Sequence, residues 1–205
     1  DRARFEFLER VAIIEAIRSE RASYPTSRGE LRREEVFPES PEPAQWIYAR
    51  SNGVALHGDR ERAQRHAFLE LAERDRILRS WRGDILPAPI RDVSLTTSYE
   101  WIACSFPPDR SSFASEVEVV AVAGFPPTPD LPLAIGFGAG PTVADATAGA
   151  SREALQQLAF LWGEAVPEAL PDKPSAFLHL DAYQIPERRT LLRSWLQGGN
   201  PPSVS

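Results

Sequence analysis

Three stretches of the chain place side-chain oxygens at helical spacing. EFLER at 6–10 and ELAER at 70–74 share the pattern Glu-x-x-Glu-Arg, and EALQ at 153–156 is a variant with glutamine in the second place. On a helix, positions i and i+3 are neighbours on one face. Each full copy therefore presents Glu6 with Glu9, or Glu70 with Glu73, and an arginine one residue on, Arg10 or Arg74. The variant presents Glu153 with Gln156. Like charges at this spacing destabilise an isolated helix, and they cost far more when buried without a positive partner. Two hosts suit them: a buried arginine network, or a divalent ion. Hard oxygen ligands suit Mg²⁺, which is held by a few carboxylates plus substrate phosphates. An exposed Glu-x-x-Glu-Arg is usually a solvated face. Here the first copy sits in a run that is apolar almost all round, and the second flanks an apolar stripe. Three helices carrying the pattern predict a shared acidic, metal-assisted site, with structural salt-bridge networks as the competing reading.

Other candidates are weaker. There is no G-x-x-x-x-G-K-S/T phosphate loop. Gly136, Gly138 and Gly140 in GFGAGP lack the G-x-G-x-x-G order and read as a tight strand-to-helix turn. Cys104 lies in the strand-like WIACSF with no motif-linked histidine, so it reads as a small buried residue. His57, His66 and His179 lack metal-ligand spacing, and the five tryptophans read as core or interface anchors.

The elements that must carry these residues alternate along the chain. Residues 2–21 read as a buried helix, because FEFLERVAIIEAI is apolar on nearly every side. The polar, proline-rich stretch 22–45 reads as a loop or excursion, followed by strand character over 46–56 around a Ser-Asn-Gly turn. Asp59 is the expected N-cap of a helix over 60–82 that ends at Gly83 and Pro87. Its apolar stripe is Ala63, Ala67, Phe68, Leu71, Ala72 and Leu78. Strands are expected over 92–106, 115–125, 132–140 and 174–180, with the second becoming continuously apolar as a central strand does. A helix over 142–163 opens on small residues suited to close packing, and a shorter one covers 186–196 before the tail at 197–205. The pattern is α+β, or mixed α/β, in one domain.

Composition narrows the function classes. The chain has 205 residues, long enough to bury a core. Hydrophobic residues at 42% and charged residues at 25% are ordinary for a globular protein. Lysine plus arginine is 23 and aspartate plus glutamate is 29, giving −6. That balance argues against nucleic acid or an anionic membrane as the main partner. One cysteine excludes an internal disulfide and a cysteine-based zinc site. No apolar run approaches the ~20 residues that span a bilayer, no signal peptide opens the chain, and the cytoplasm is the expected compartment. Proline is 19 of 205, about 9% against a usual ~5%, which predicts many or rigid loops. The chain holds no methionine and begins at Asp1 within a predicted helix, which predicts a piece of a longer polypeptide.

SNGVALHGDRERAQRHAFLELAERD (51–75) resembles the central signature of YcaO-domain proteins: a Ser-Asn-Gly turn, then a helix ending Glu-x-x-Glu-Arg-Asp. RARFEFLERVA resembles the family's earlier Glu-x-x-Glu-Arg helix, and GFGAGPTVADATAGASREALQQ its later Gly-x-Gly-Ala stretch and Ala-rich helix. The order matches, and together the motifs span most of residues 2–160. The central motif is fairly specific and the outer two are weaker alone.

The resemblance implies a YcaO-like sheet packed with helices that carry the Glu-x-x-Glu motifs. It implies ATP bound without a phosphate loop, through Mg²⁺ held by glutamates of several helices. A peptide backbone amide oxygen is then phosphorylated, and a Cys, Ser or Thr side chain or an external sulfide attacks. The products are azolines or thioamides in ribosomally made peptides. Carried over, Glu6, Glu9, Glu70, Glu73 and Glu153 are the implied Mg²⁺ ligands, and Asn52, Glu70, Arg74, Arg10 and Gln156 the implied ATP contacts. No catalytic residue is assigned. The implied partners are a peptide substrate and a leader-peptide-binding or TfuA-like protein, with a homodimer as an option. This chain departs from the family at Arg2, where members often have serine, and at Arg62, where they often have glutamate. Gly58 and Asp59 stand where many have asparagine, and GGNPPSVS lacks the alternating prolines of azoline-forming members. The family's N-terminal portion is expected to be missing. The departures favour an alternative: a degenerate YcaO-like module that binds a peptide or partner without chemistry.

Overall fold

The computed structural model describes residues 22–26, 29–32, 55–91, 95–108, 114–169 and 182–199, together with Leu8, Val11, Glu15, Gly53 and Val93, except Asp92 and Ser94. It divides into two compact units, 1–68 and 69–205. In the first, β1 (Ser23–Thr26) and β2 (Gly29–Arg32) form an antiparallel hairpin, pairing Ser23 with Arg32 and Thr26 with Gly29. The stretch expected as a loop thus contains a small hairpin; β2 is exposed throughout, so hydrophobic periodicity could not mark it. Leu8, Val11 and Glu15 are helical, but Leu8 and Glu15 are exposed, so the expected burial all round does not hold at Leu8. The first helix, α1 (Arg60–Trp81), starts where predicted. The Asp59 carboxylate accepts the Arg62 backbone N–H at 3.0 Å, satisfying an otherwise unpaired donor of the first turn.

The second unit is built on an antiparallel sheet in simple sequential order: β3 (Ala88–Ile90), β4 (Glu100–Ser105), β5 (Glu118–Phe125) and β6 (Ala134–Gly140). β5 is buried on both faces, as its continuous apolar run requires. β4 starts later than expected because the Thr97 hydroxyl takes the Tyr99 N–H at 3.2 Å and the Trp101 indole N–H at 2.7 Å, closing a local turn that competes with the ladder.

Three layers follow from which side each strand residue faces. Val119, Ala121 and Ala123 of β5 and Ile135 and Phe137 of β6 join a cluster with Leu69, Ala72, Ile77 and Trp81 of α1 and Leu192, Trp195 and Leu196 of α3 (Pro186–Leu196). Val120 and Val122 face the other way and join Ala146, Ala150 and Ala154 of α2 (Val143–Leu161). This α+β arrangement is the one expected. The buried stripe of α1 is shifted from the expected one, however. Ala72, Arg76 and Ser80 are buried, whereas Phe68, Leu71 and Leu78 are exposed. Polar residues on the inward face made the hydropathy pattern misleading. The Arg76 guanidinium donates to the Phe106 carbonyl at 3.0 Å and to the Ala114 carbonyl at 2.5 Å, and Ser80 accepts the Trp195 indole N–H at 3.1 Å.

Gly136, Gly138 and Gly140 do not form a turn; they lie within β6. A Cβ at Gly136 would collide with the Ala150 carbonyl and the Ala154 N–H, and one at Gly138 with the Ala146 carbonyl and the Ala150 N–H. The alternating glycines let the alanine face of α2 lie directly on the strand. Gly83, at φ 85°, ends α1 as expected. Its N–H reaches the Ser80 carbonyl and the Asp84 N–H the Arg79 carbonyl, closing the helix end. The strands expected over 46–56 and 174–180 lie largely or wholly outside the described residues.

Candidate functional site

α1 and α2 pack on opposite faces of the sheet, yet Glu73 of α1 and Glu153 of α2 are close enough for their charges to interact. Glu153 follows the buried Ala150 by three residues and precedes the buried Ala154, so it flanks the face of α2 that lies on β6. Its Oε2 accepts the Phe137 N–H from the strand's outer side at 3.4 Å. From α1, Glu73 is partly buried and close enough to Glu153 for their charges to interact. Glu70 lies one turn back, its Oε1 3.2 Å from Arg74 Nη2 in an i, i+4 ion pair.

The electrostatics of this group are unbalanced. Burial raises the Glu73 carboxyl from 4.5 to about 8, helped by the charges of Glu153 and Glu70 and opposed by Arg74. Glu70, Glu73 and Glu153 bring three carboxyl groups into this neighbourhood, and Arg74 is the cation that acts on Glu73. The deeply buried arginine of α1, Arg76, gives two of its donors to carbonyls.

Carboxylate oxygens are donors that suit a hard divalent cation. Among the described residues, no group of three carboxylate, imidazole or thiol side chains is placed to hold a metal.

Of the residues singled out in the sequence, Glu70, Glu73, Arg74 and Glu153 come together. Gln156, the implied ATP contact of the third helix, is exposed. Its neighbour Gln157, which was not singled out, faces β6 instead: its Oε1 accepts the Ile135 N–H at 2.6 Å. Gln157 carries a signal in the helical wheel, since it lies one turn from Glu153 and flanks the same alanine face. Glu6, Glu9, Arg10 and Asn52 lie outside the described residues. Cys104 is buried and its thiol is pushed up to about 12 by burial, the inert residue expected. His57 accepts the Asp59 backbone N–H at 3.0 Å beside the α1 cap, and packs edge-on against His66. No helix among the described residues is long and apolar enough to cross a membrane.

Helices from opposite faces of an antiparallel sheet thus bring glutamates close enough for their charges to interact. A family model described as YcaO cyclodehydratase, ATP- and Mg²⁺-binding, matches residues 33–201. The chain belongs to the YcaO family. The match takes in Glu70, Glu73, Arg74, Glu153 and Gln157, and begins after Glu6 and Glu9 in the sequence. No curated protein and no solved structure matches the chain.

Proposed function

We propose that this chain activates a peptide backbone amide in an ATP- and Mg²⁺-dependent reaction, leading to an azoline or a thioamide. The observation that carries the reading is the gathering of Glu70, Glu73 and Glu153 within reach of one another's charge, where burial and Glu153 raise the Glu73 carboxyl to about 8. Glu73 and Glu153 would hold the cation, with water and phosphate oxygens completing its shell and Glu70 adding charge nearby. Arg74, now shared with Glu70, turns toward the phosphates. Bound ATP and Mg²⁺ supply the phosphoryl group and the charge neutralisation that such a transfer needs. The protein's part is positioning: a preformed acidic group in which the Glu73 carboxyl is already desolvated. The partners are a peptide substrate and a leader-peptide-binding or TfuA-like protein.

Titration calorimetry with ATP and Mg²⁺ tests this. Micromolar binding is expected in the parent chain and its loss in Glu73→Ala and in Glu70→Ala. No binding by the parent chain would overturn the reading.

A second reading has its own observation. Arg62, exposed in the first turn of α1, stands where family members often carry glutamate. On that reading the chain is a degenerate module that binds a peptide or partner. Mg²⁺-dependent ATP binding with no phosphate release, in the presence of peptides rich in Cys, Ser and Thr, would favour it.

A further inference from the structure

A cavity of about 420 Å³ opens at the C-terminal end of α2, within the size range of ligand pockets. Pro132, Leu161, Ala165, Val166 and Pro167 give it apolar walls, and Glu164 stands among them. The walls are held by bonds from distant parts of the chain. Gln184 lines the cavity, 5% exposed, and its amide bonds to both the N–H and the carbonyl of Leu133 at 2.8 Å. The Gln184 carbonyl accepts Arg189 Nη2 at 2.7 Å, and the same nitrogen donates to the Leu131 carbonyl at 3.0 Å. The Tyr99 hydroxyl donates to the Pro132 carbonyl at 2.9 Å. Tyr99, Gln184 and Arg189 thus fix residues 131–133, and the cavity is preformed.

Its electrostatics have one sign. The C-terminal end of a helix carries the negative pole of the helix dipole, and the last turn of α2 holds no basic residue to offset it. Among the described residues, no lysine or arginine lines the cavity to answer the Glu164 carboxylate. The side chains on either side of Leu161 face solvent, Phe160 at 75% and Trp162 at 62% exposure. An indole face is the best aromatic surface for a cation. The chain as a whole, at −6, draws cations toward it. Apolar walls, a carboxylate and a neighbouring indole define their complement: an apolar side chain with a lysine or arginine beside it. The exposed aromatic rings extend that surface beyond the cavity, which suits an elongated ligand.

We propose that this cavity is an anchoring site for a linear peptide that presents a lysine or arginine beside an apolar residue. The choice of a peptide rests on the reading of the substrate as one; the anchoring needs neither ATP nor Mg²⁺.

The test titrates the full chain, without ATP or Mg²⁺, with the capped peptide Gly-Gly-Leu-Lys-Leu-Gly-Gly. Nuclear magnetic resonance follows the Trp162 indole N–H and the backbone N–H groups of Glu164 and Val166. The peptide is expected to shift these signals together and saturably. Replacing both leucines by glycine weakens it at least about tenfold, the loss of one buried side chain. Replacing the lysine by glutamate abolishes binding. Glu164→Gln weakens the lysine peptide about threefold to fivefold, and Trp162→Ala does so by a similar factor. Both side chains are exposed, so neither change threatens the fold. Glu168→Gln removes the same charge from a residue outside the lining and leaves binding unchanged. Equal binding of the glutamate peptide, an equal effect of Glu168→Gln, or no shift at Trp162 and Glu164 overturns the proposal. Peptide binding by a chain that takes up no ATP would sink the cation reading and leave the anchor standing. ATP uptake without peptide binding does the reverse.

Discussion

Glu73 is a carboxyl whose environment disfavours its own charge. Its pKa of about 8 lies above the ordinary 4.5, so protonated Glu73 stabilises the cation-free fold fully below about pH 4.5. That contribution is lost as pH rises through about 8. Glu73→Gln should therefore flatten the stability curve between these values and raise stability on the alkaline side, read by urea unfolding as a function of pH. Cation binding reverses the preference, because the ligand must be the carboxylate. Mg²⁺ uptake near pH 7 should release about one proton, and the apparent affinity should rise about tenfold per pH unit before levelling above pH 8. Calorimetry in buffers of different ionisation enthalpy measures the proton. A Glu73→Gln protein that still releases it would remove Glu73 from the site. Cys104 is a different kind of residue: buried, with its thiol raised to about 12 by that burial. It should resist a thiol reagent at pH 8 until the protein is unfolded.

At the scale of elements, the contact between β6 and α2 sets where Glu153 can be. Gly138→Ala would drive a methyl into the Ala146 carbonyl and the Ala150 N–H, backbone atoms that cannot step aside. The expected loss is about 1–3 kcal/mol or more. Gly149 lies across the same interface, but a Cβ there would stand 3.6 Å from Gly138 Cα, an ordinary contact. Gly149→Ala should gain stability, by up to ~1 kcal/mol of helix propensity. Opposite signs for the same change, eleven residues apart, are checked by two chemical-unfolding curves. The alanine face of α2 and the caps at Asp59 and Gly83 were legible in sequence because they depend on local chemistry: small side chains, an acceptor for a free N–H, and a residue that tolerates positive φ. The glycines of β6 were not. GFGAGP suggests a turn to any reader of local propensity, and only the helix lying on it explains glycine in extended backbone. The buried stripe of α1 was misread for a related reason. Arg76 and Ser80 face inward because the Phe106 and Ala114 carbonyls and the Trp195 indole await them, and those partners are 30 to 115 residues away in sequence.

At the scale of the molecule, the acidic site was legible as composition and spacing, but not as architecture. Two Glu-x-x-Glu copies and a variant predicted convergence; nothing in the spacing told that α1 and α2 would approach from opposite faces of one sheet. That arrangement has a consequence for what must be present to form the site. The three hydrophobic clusters of the described residues, the four-stranded sheet, Glu70, Glu73 and Glu153 all come from residue 69 onward. The remaining requirement is the start of α1, whose Asp59 cap contributes about 1 kcal/mol. A fragment of residues 58–205 should therefore fold alone. Its near-ultraviolet dichroism should keep the signature of the Trp81–Trp195 pair, whose rings pack edge-on at 5.0 Å. It should melt cooperatively, and Glu73 should keep its pH-dependent contribution to stability. Fragments beginning at 58 and at 64 separate the cap from the core: the second lacks Asp59 and the first turn of α1, and should melt lower while keeping the tryptophan signature. Loss of that signature in the 58–205 fragment would show that the sheet and its two helix layers do not suffice to assemble the acidic site.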